Sequence, residues 1–199
     1  MELHHIFKDL LNKNYEPNHS KYILPNIPTI LKYSNKLKHI TEIGTFVGSS
    51  LLCFLNNKET PEIIECYDLN FTNQACIIKN LSKKTKIKFH KCDIKKLKKI
   101  NKTNLLFIDD WHTYEQLSFE LKTFSKFVTN YILIHDIISY GYHDEVNLWG
   151  NNKICISKKT GLMPAIFDFL KKNKEWTIEY EDKNYCGLIV LKNKKIKLI

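Results

Sequence analysis

The chain is 199 residues long, enough for one domain with a substantial core and too short for two of ordinary size. Hydrophobic residues make up 43% and charged residues 26%, which excludes disordered, collagen-like and coiled-coil classes. The formal charge is +10, yet all 31 basic side chains are lysine, because the sequence contains no arginine. A nucleic-acid surface is expected to use arginine for bidentate contacts. Lysine alone, alongside abundant Asn and Ile, points instead to an AT-rich genome, so the charge by itself names no partner. The six cysteines (Cys53, Cys66, Cys76, Cys92, Cys155, Cys186) share no repeated spacing and form no CxxC pair. They build neither a zinc ribbon nor a disulfide framework and are expected as reduced thiols. The first residues lack a signal-peptide layout, and no apolar run reaches the length of a membrane span. The expectation is a soluble, cytoplasmic protein with no membrane contact.

Residues 1–38 have an amphipathic, helical pattern broken by Pro17, Pro25 and Pro28, and form an N-terminal helical extension to a domain spanning 39–199. From residue 39 the pattern changes to short apolar runs alternating with longer amphipathic segments. Strands are predicted at 39–43, 62–67 and 87–90, with helices at 48–57 and 72–81 between them. Thr103–Ile108 is almost wholly apolar, as a parallel strand covered on both faces should be. Tyr114, Leu117, Leu121, Phe124 and Val128 then mark one helical stripe, followed by a buried strand at 131–134. Leu162, Ile166, Phe169 and Leu170 mark a last helix, with Gly161 and Pro164 near its start. Two strands, 176–180 and 185–191, close the chain around a polar turn. Alternating strands and helices imply a doubly wound α/β sheet with right-handed crossovers. Seven strands are expected, parallel except for one antiparallel strand from the C-terminal hairpin. The long irregular stretch 139–160 is a candidate lid, carrying Tyr140, Tyr142, His143, Asp144, Glu145 and Trp149.

The turn after the first strand reads Glu42-Ile43-Gly44-Thr45-Phe46-Val47-Gly48-Ser49-Ser50. In a doubly wound sheet this is where ligands bind, and glycines there let the backbone turn tightly before a helix N-terminus. The G-x-x-x-G spacing differs from the G-x-G-x-x-G of dinucleotide enzymes. Alone, it is equally compatible with a structural turn. Asp68 ends the second strand and can accept both hydroxyls of a ribose, and Asp93 follows the third and can take an adenine amino group. Either acid alone could be a helix cap. Acids at three consecutive strand ends suit a nucleoside bearing a cation or free amines.

This pattern, E-x-G-x-x-x-G-x-S with an acid after each of the next two strands and F-I-D-x-x-H-x-Y after the fourth, resembles the class I S-adenosylmethionine-dependent methyltransferases. It is most similar to their small O-methyltransferases of macrocin, cephalosporin-hydroxylase-like and catechol type. The resemblance spans about residues 39–191 and implies a Rossmann-like fold. It also implies that Glu42, Gly44, Thr45, Gly48 and Ser49 surround the methionine end of S-adenosyl-L-methionine, Asp68 the ribose and Asp93 the adenine. Residues 1–38 lie outside it, either as a cap over the acceptor or as a homodimer contact.

The fourth and fifth strands are neighbours in such a sheet, and their ends carry Asp109-Asp110-Trp111-His112 and His135-Asp136. Methyl transfer to a hydroxyl needs a base, a metal that acidifies the acceptor, or both. His112 is the candidate base, since an imidazole titrates near neutrality. A helix cap is the plainer alternative for it. The resemblance implies that Asp109, Trp111 and His112 share the site and that Asp109 and Asp136 hold Mg²⁺. His135 stands where those relatives carry an acid or amide, so a ligand set of Asp109, Asp136 and His135 would suit zinc, iron or nickel better. The expected activity is O-methylation of a small molecule or sugar hydroxyl. The alternatives are an RNA methyltransferase and a non-catalytic, partner-binding protein. The RNA alternative rests on eleven lysines within 79–102 set against one acid, Asp93. With Phe89 the only interleaved aromatic, a solvated face covering the outer helices is the preferred reading.

Overall fold

The computed structural model describes residues 3–12, 22–146 and 158–196. Pro17, Trp149 and Cys155, with 147–157 of the candidate lid, lie outside them. Seven strands form one sheet: β1 (His39–Ile43), β2 (Ile63–Asp68), β3 (Lys86–Lys91), β4 (Thr103–Ile108), β5 (Val128–His135), β6 (Trp176–Asp182) and β7 (Leu188–Asn193). Their order is β3-β2-β1-β4-β5-β7-β6. β1 pairs in parallel with both β2 and β4, and β4 with β5. β7 runs antiparallel to β5 and β6, which makes it the single reversed strand. The sheet is the Rossmann-like, doubly wound sheet that the alternation of elements implies. Its reversal lies between β1 and β4, where carboxyl ends of strands open a ligand crevice.

Among the described residues, six α-helices cover the sheet: α1 (Leu3–Leu11), α2 (Ile27–Ser34), α3 (Ser49–Leu55), α4 (Asn73–Leu81), α5 (Tyr114–Phe124) and α6 (Leu162–Lys172). Side chains of a strand alternate between faces, so each strand feeds two cores. Ile40, Ile64, Leu105 and Phe107 pack with α1, α2 and α3 on one face. Ile43, Leu106, Ile108, Ile132 and Ile134 pack with α5 and α6 on the other. The N-terminal helices therefore share a core with the sheet. Thr72 caps α4 by accepting from Ala75 N–H, and Thr113 caps α5 by accepting from Gln116 N–H. No helix among the described residues is long and apolar enough to cross a membrane.

Two expectations need correction. Val128 does not extend the stripe of α5: the helix ends at Phe124, one 3₁₀ turn follows, and Val128 opens β5 opposite Thr103. Its spacing from Phe124 fits a helix by coincidence, whereas its branched side chain suits the strand. The lysine run does not only coat outer helices. Lys86, Lys88 and Lys91 lie on β3, an edge strand of the sheet, where charge discourages pairing with another chain.

Candidate active site

The carboxyl ends of β1, β2, β4 and β5 surround a cavity of about 720 Å³, a size ordinary for a small-molecule site. Gly44, at φ +80°, begins its floor, and a Cβ there would lie 2.1 Å from the Asp109 carbonyl oxygen. Glycine is required because the end of β4 passes against the turn. Gly48, also at positive φ, packs toward Ile78 and Ala75 of α4 rather than lining the cavity. Between them Phe46 adopts φ 44° and leaves half its surface exposed at the cavity wall.

Asp68 holds this turn from below: its Oδ2 accepts the N–H groups of Thr45 and Phe46, each at 2.9 Å, and its Oδ1 accepts Asn70 N–H at 3.1 Å. Asp93 also lines the cavity, while its Oδ1 caps a 3₁₀ turn at Lys95 N–H. Glu42 is elsewhere. It is fully buried under the turn, accepting from Thr45 Oγ1 at 2.7 Å and from Ser50 Oγ, and does not line the cavity. Burial pushes its carboxyl up to about 7, against the opposing hydrogen bonds of Ser50 and Thr45. Ser49 stands at the start of α3 on the cavity wall, its Oγ buried and without a hydrogen-bond partner among the described residues. A buried hydroxyl left open beside a helix N-terminus fits a polar ligand group.

The chemistry-bearing groups converge at the ends of β4 and β5. His112 Nε2 lies 3.3 Å from Asp109 Oδ1 and 3.2 Å from Asp136 Oδ2, while its Nδ1 meets Glu145 Oε2 at 2.9 Å. The ring stacks on Tyr140, 4.9 Å between centroids. His135 Nδ1 faces the same two carboxylates, at 3.3 Å from Asp109 and 3.4 Å from Asp136. Asp136 sits at φ 61°, a left-handed conformation that costs a non-glycine residue on the order of 1–3 kcal/mol and turns its carboxylate into the cluster. Donor atoms of Asp109, His112 and Asp136 lie within 4.8 Å of one another, close enough to share one metal ion. Two carboxylates and an imidazole suit a borderline divalent ion better than Mg²⁺.

The electrostatics differ from the expectation of an imidazole free at neutral pH. Burial works against charging His112, but hydrogen bonds to Asp109 and Glu145 and the charges of Asp109 and Asp136 prevail, raising it to about 10. His135 is likewise raised to about 10 by Asp109 and Asp136 against its burial. For Asp109, burial is outweighed by the His135 charge and the hydrogen bonds of both histidines, which hold its carboxyl well below the usual range. Both rings therefore carry two protons at pH 7 when only the carboxylates face them.

A second acidic pair adjoins this cluster, with Glu120 buried and Asp110 on the cavity wall. Gln116 Nε2 donates to Asp110 Oδ2 at 3.1 Å and to Glu120 Oε1 at 2.7 Å. Burial and the charge of Asp110 push Glu120 far above the carboxylate range. On the other side, Asn26 Oδ1 lies 3.2 Å from His135 Nε2, and Tyr22 and Ile23 line the cavity. Asn26, Glu120 and the pairing of Glu145 with His112 were not singled out from the sequence. Only Glu145 left a signal there, as an acid in the long segment after β5.

No family profile matches the sequence, and no curated protein sequence matches it either. Solved structures do. The N-methyltransferase NodS from Bradyrhizobium japonicum WM9 superposes with TM-score 0.58 at 12% identity, over 87% of this chain and 97% of its own. Magnesium protoporphyrin IX methyltransferase ChlM from Synechocystis PCC 6803, with S-adenosylmethionine bound, gives 0.56 at 13%, over 87% and 81%. TrmK from M. capricolum, in complex with S-adenosylhomocysteine, gives 0.56 at 15%, over 85% and 68%. At such identities the likeness is one of fold, and the fold is that of S-adenosylmethionine-dependent methyltransferases.

Proposed function

We propose that this chain transfers the methyl group of S-adenosylmethionine to an oxygen of a small-molecule or sugar acceptor. The observation that carries this reading is the convergence of Asp109, His112 and Asp136 in the cavity that begins at Gly44. The charge of the cavity supports it. Asp68, Asp93, Asp109, Asp110, Asp136 and Glu145 line the wall of a protein whose formal charge is +10. An acidic pocket attracts a sulfonium cation and repels a pyrophosphate.

The residues fit the cofactor. The open Ser49 hydroxyl and the start of α3 would take the methionine end. Asp68, already oriented by three backbone N–H groups, would face the ribose, and Asp93 the adenine. Bound there, the cofactor supplies an electrophilic methyl group whose bonding electron pair leaves with the sulfur. Asp109 and Asp136 would orient the acceptor hydroxyl. His112 Nε2, which faces both, would receive its proton, while Glu145 holds Nδ1. A divalent ion held by Asp109, Asp136 and His135 would neutralise the carboxylates that keep His112 charged, leave His112 Nε2 free for the proton and acidify the acceptor.

The test is transfer of tritiated methyl from S-adenosylmethionine to panels of diphenols, sugars and bulk RNA, each with Mg²⁺, Mn²⁺, Fe²⁺, Ni²⁺ or Zn²⁺. Label in a small-molecule ether is the predicted result. Label in RNA alone would favour the RNA reading. No transfer at all, with the cofactor product still bound, would favour a non-catalytic binding protein.

A further inference from the structure

The acids and His112 serve the proposed reaction, but part of the cavity wall is left over, and that part is apolar. Tyr22 and Ile23, just ahead of the 3₁₀ turn Leu24–Asn26, line it together with Val146, which is 79% exposed. Exposed apolar surface gathered at one cavity marks a place that a ligand covers. The Tyr22 ring stacks on Tyr185, centroids 5.8 Å apart and planes 25° from parallel. Tyr185 stands off the cavity wall in the turn between β6 and β7, at φ 54° and 56% exposed. A left-handed tyrosine costs about 1–3 kcal/mol, and this one gains little burial in return. What the strained turn secures is a ring behind Tyr22. Both ends of the stack are fixed. Thr29 Oγ1 donates to Asp182 at 2.8 Å and Asn26 Nδ2 to the Asn184 carbonyl at 3.5 Å, which ties the N-terminal segment to that turn. Ile138 N–H donates to the Cys186 carbonyl at 2.8 Å, and a Cβ on Gly187 would meet Ile138 Cγ1 at 2.5 Å. The turn is therefore seated on the residues that follow Asp136, and the ring pair is held in register with the carboxylates.

We propose that Tyr22 is the specificity-determining residue of the acceptor site and takes the flat, apolar face of the acceptor, with Tyr185 as a positioning residue that holds its ring. This rests on the methyl-transfer reading, in which the acceptor hydroxyl lies at Asp109, His112 and Asp136. An aromatic ring and the C–H face of a pyranose both offer such a face to a tyrosine, whereas a linear polyol offers none. The carboxylates and His112 treat all three hydroxyls alike. Discrimination falls to the N-terminal segment, which selects a hydroxyl carried on a ring over one carried on an open chain.

The experiment uses the full chain saturated with S-adenosylhomocysteine, ¹³C-labelled in its tyrosine rings and titrated with catechol, methyl glucoside or glycerol. The Tyr22 ring signals should shift with catechol, with methyl glucoside or with both, which tells an aryl face from a sugar face, and should stay in place with glycerol. Tyr22→Ala should weaken the shifting probe about tenfold and Tyr22→Phe should retain it. Tyr185→Ala should lose most of the same factor, with little added in the double variant. Affinity for S-adenosylhomocysteine should be unchanged throughout, and for a methylated acceptor Tyr22→Ala should raise KM and leave kcat within about twofold. No Tyr22 shift with any probe, or an equal shift with glycerol, would overturn the proposal, and this wild-type spectrum decides even where a variant fails to fold. A folded Tyr22→Ala that binds the probe as tightly as the wild type would overturn it as well. A probe bound at Tyr22 in a protein without methyl transfer would remove the reading of function and leave the ring-binding wall. Methyl transfer indifferent to Tyr22→Ala would do the reverse.

Discussion

Glu42 offers a prediction that tests the floor of the site through stability. Burial raises its carboxyl from 4.5 to about 7, although Ser50 and Thr45 donate to it. Below pH 4.5 the group is protonated in both folded and unfolded chains and is neutral in its effect. Between 4.5 and 7 the unfolded chain ionises first, so stability falls as pH rises, by about 1.4 kcal/mol per pH unit. Over the full interval the loss is about 3 kcal/mol, a large part of a typical folding free energy. Glu42→Gln keeps the size and an acceptor oxygen but cannot ionise. Urea unfolding of both proteins at half-unit steps from pH 4.5 to 8 isolates the effect, because contributions of distant groups cancel in the difference. The difference should swing toward the variant by about 3 kcal/mol and level off above pH 7. A difference that stays constant with pH would refute the burial of an ionisable group beneath the glycine turn.

Other perturbations separate the parts of the site. Gly44→Ala forces a Cβ onto the Asp109 carbonyl at φ +80°, so both melting temperature and affinity for S-adenosylhomocysteine should fall. Gly48→Ala, whose Cβ meets the tip of Ile78 at 3.0 Å and Ala75 at ordinary contact distance, should lose stability by about 1–2 kcal/mol with affinity largely kept. Asp68→Ala leaves the N–H groups of Thr45 and Phe46 without their acceptor, and calorimetry should show affinity for S-adenosylhomocysteine weakened by about tenfold or more. His112→Gln removes the proton acceptor, so turnover should fall by about 10²- to 10⁴-fold in single-turnover assays while affinity for the cofactor product changes little.

The sheet was legible where burial is uniform. Thr103–Ile108 is strand β4 to the residue, because a strand covered on both faces leaves a continuous apolar run. The apolar pattern leaves β3 short by one residue at each end, since its bounding residues Lys86 and Lys91 carry the charge of an exposed edge. Strand-end logic brought Asp68, Asp93, Asp109, His112, His135 and Asp136 to one cavity. It misplaced Glu42, whose position alternates with Ile43 and shares the face of Ile40, against α3. Counting parity along β1 would have assigned it to the core side. Asn26 left no trace in the sequence, because its partner His135 lies 109 positions away and the contact depends on how α2 docks. The raised titration of His112 was equally hidden: it comes from three carboxylates brought together from β4, β5 and the segment beyond.

Titration calorimetry with S-adenosylhomocysteine tests the central claim most directly. Saturable binding at one site per chain, weakened by Gly44→Ala and Asp68→Ala and retained by His112→Gln, is the predicted result. Absence of binding at millimolar ligand, or binding untouched by both of the turn variants, would contradict it.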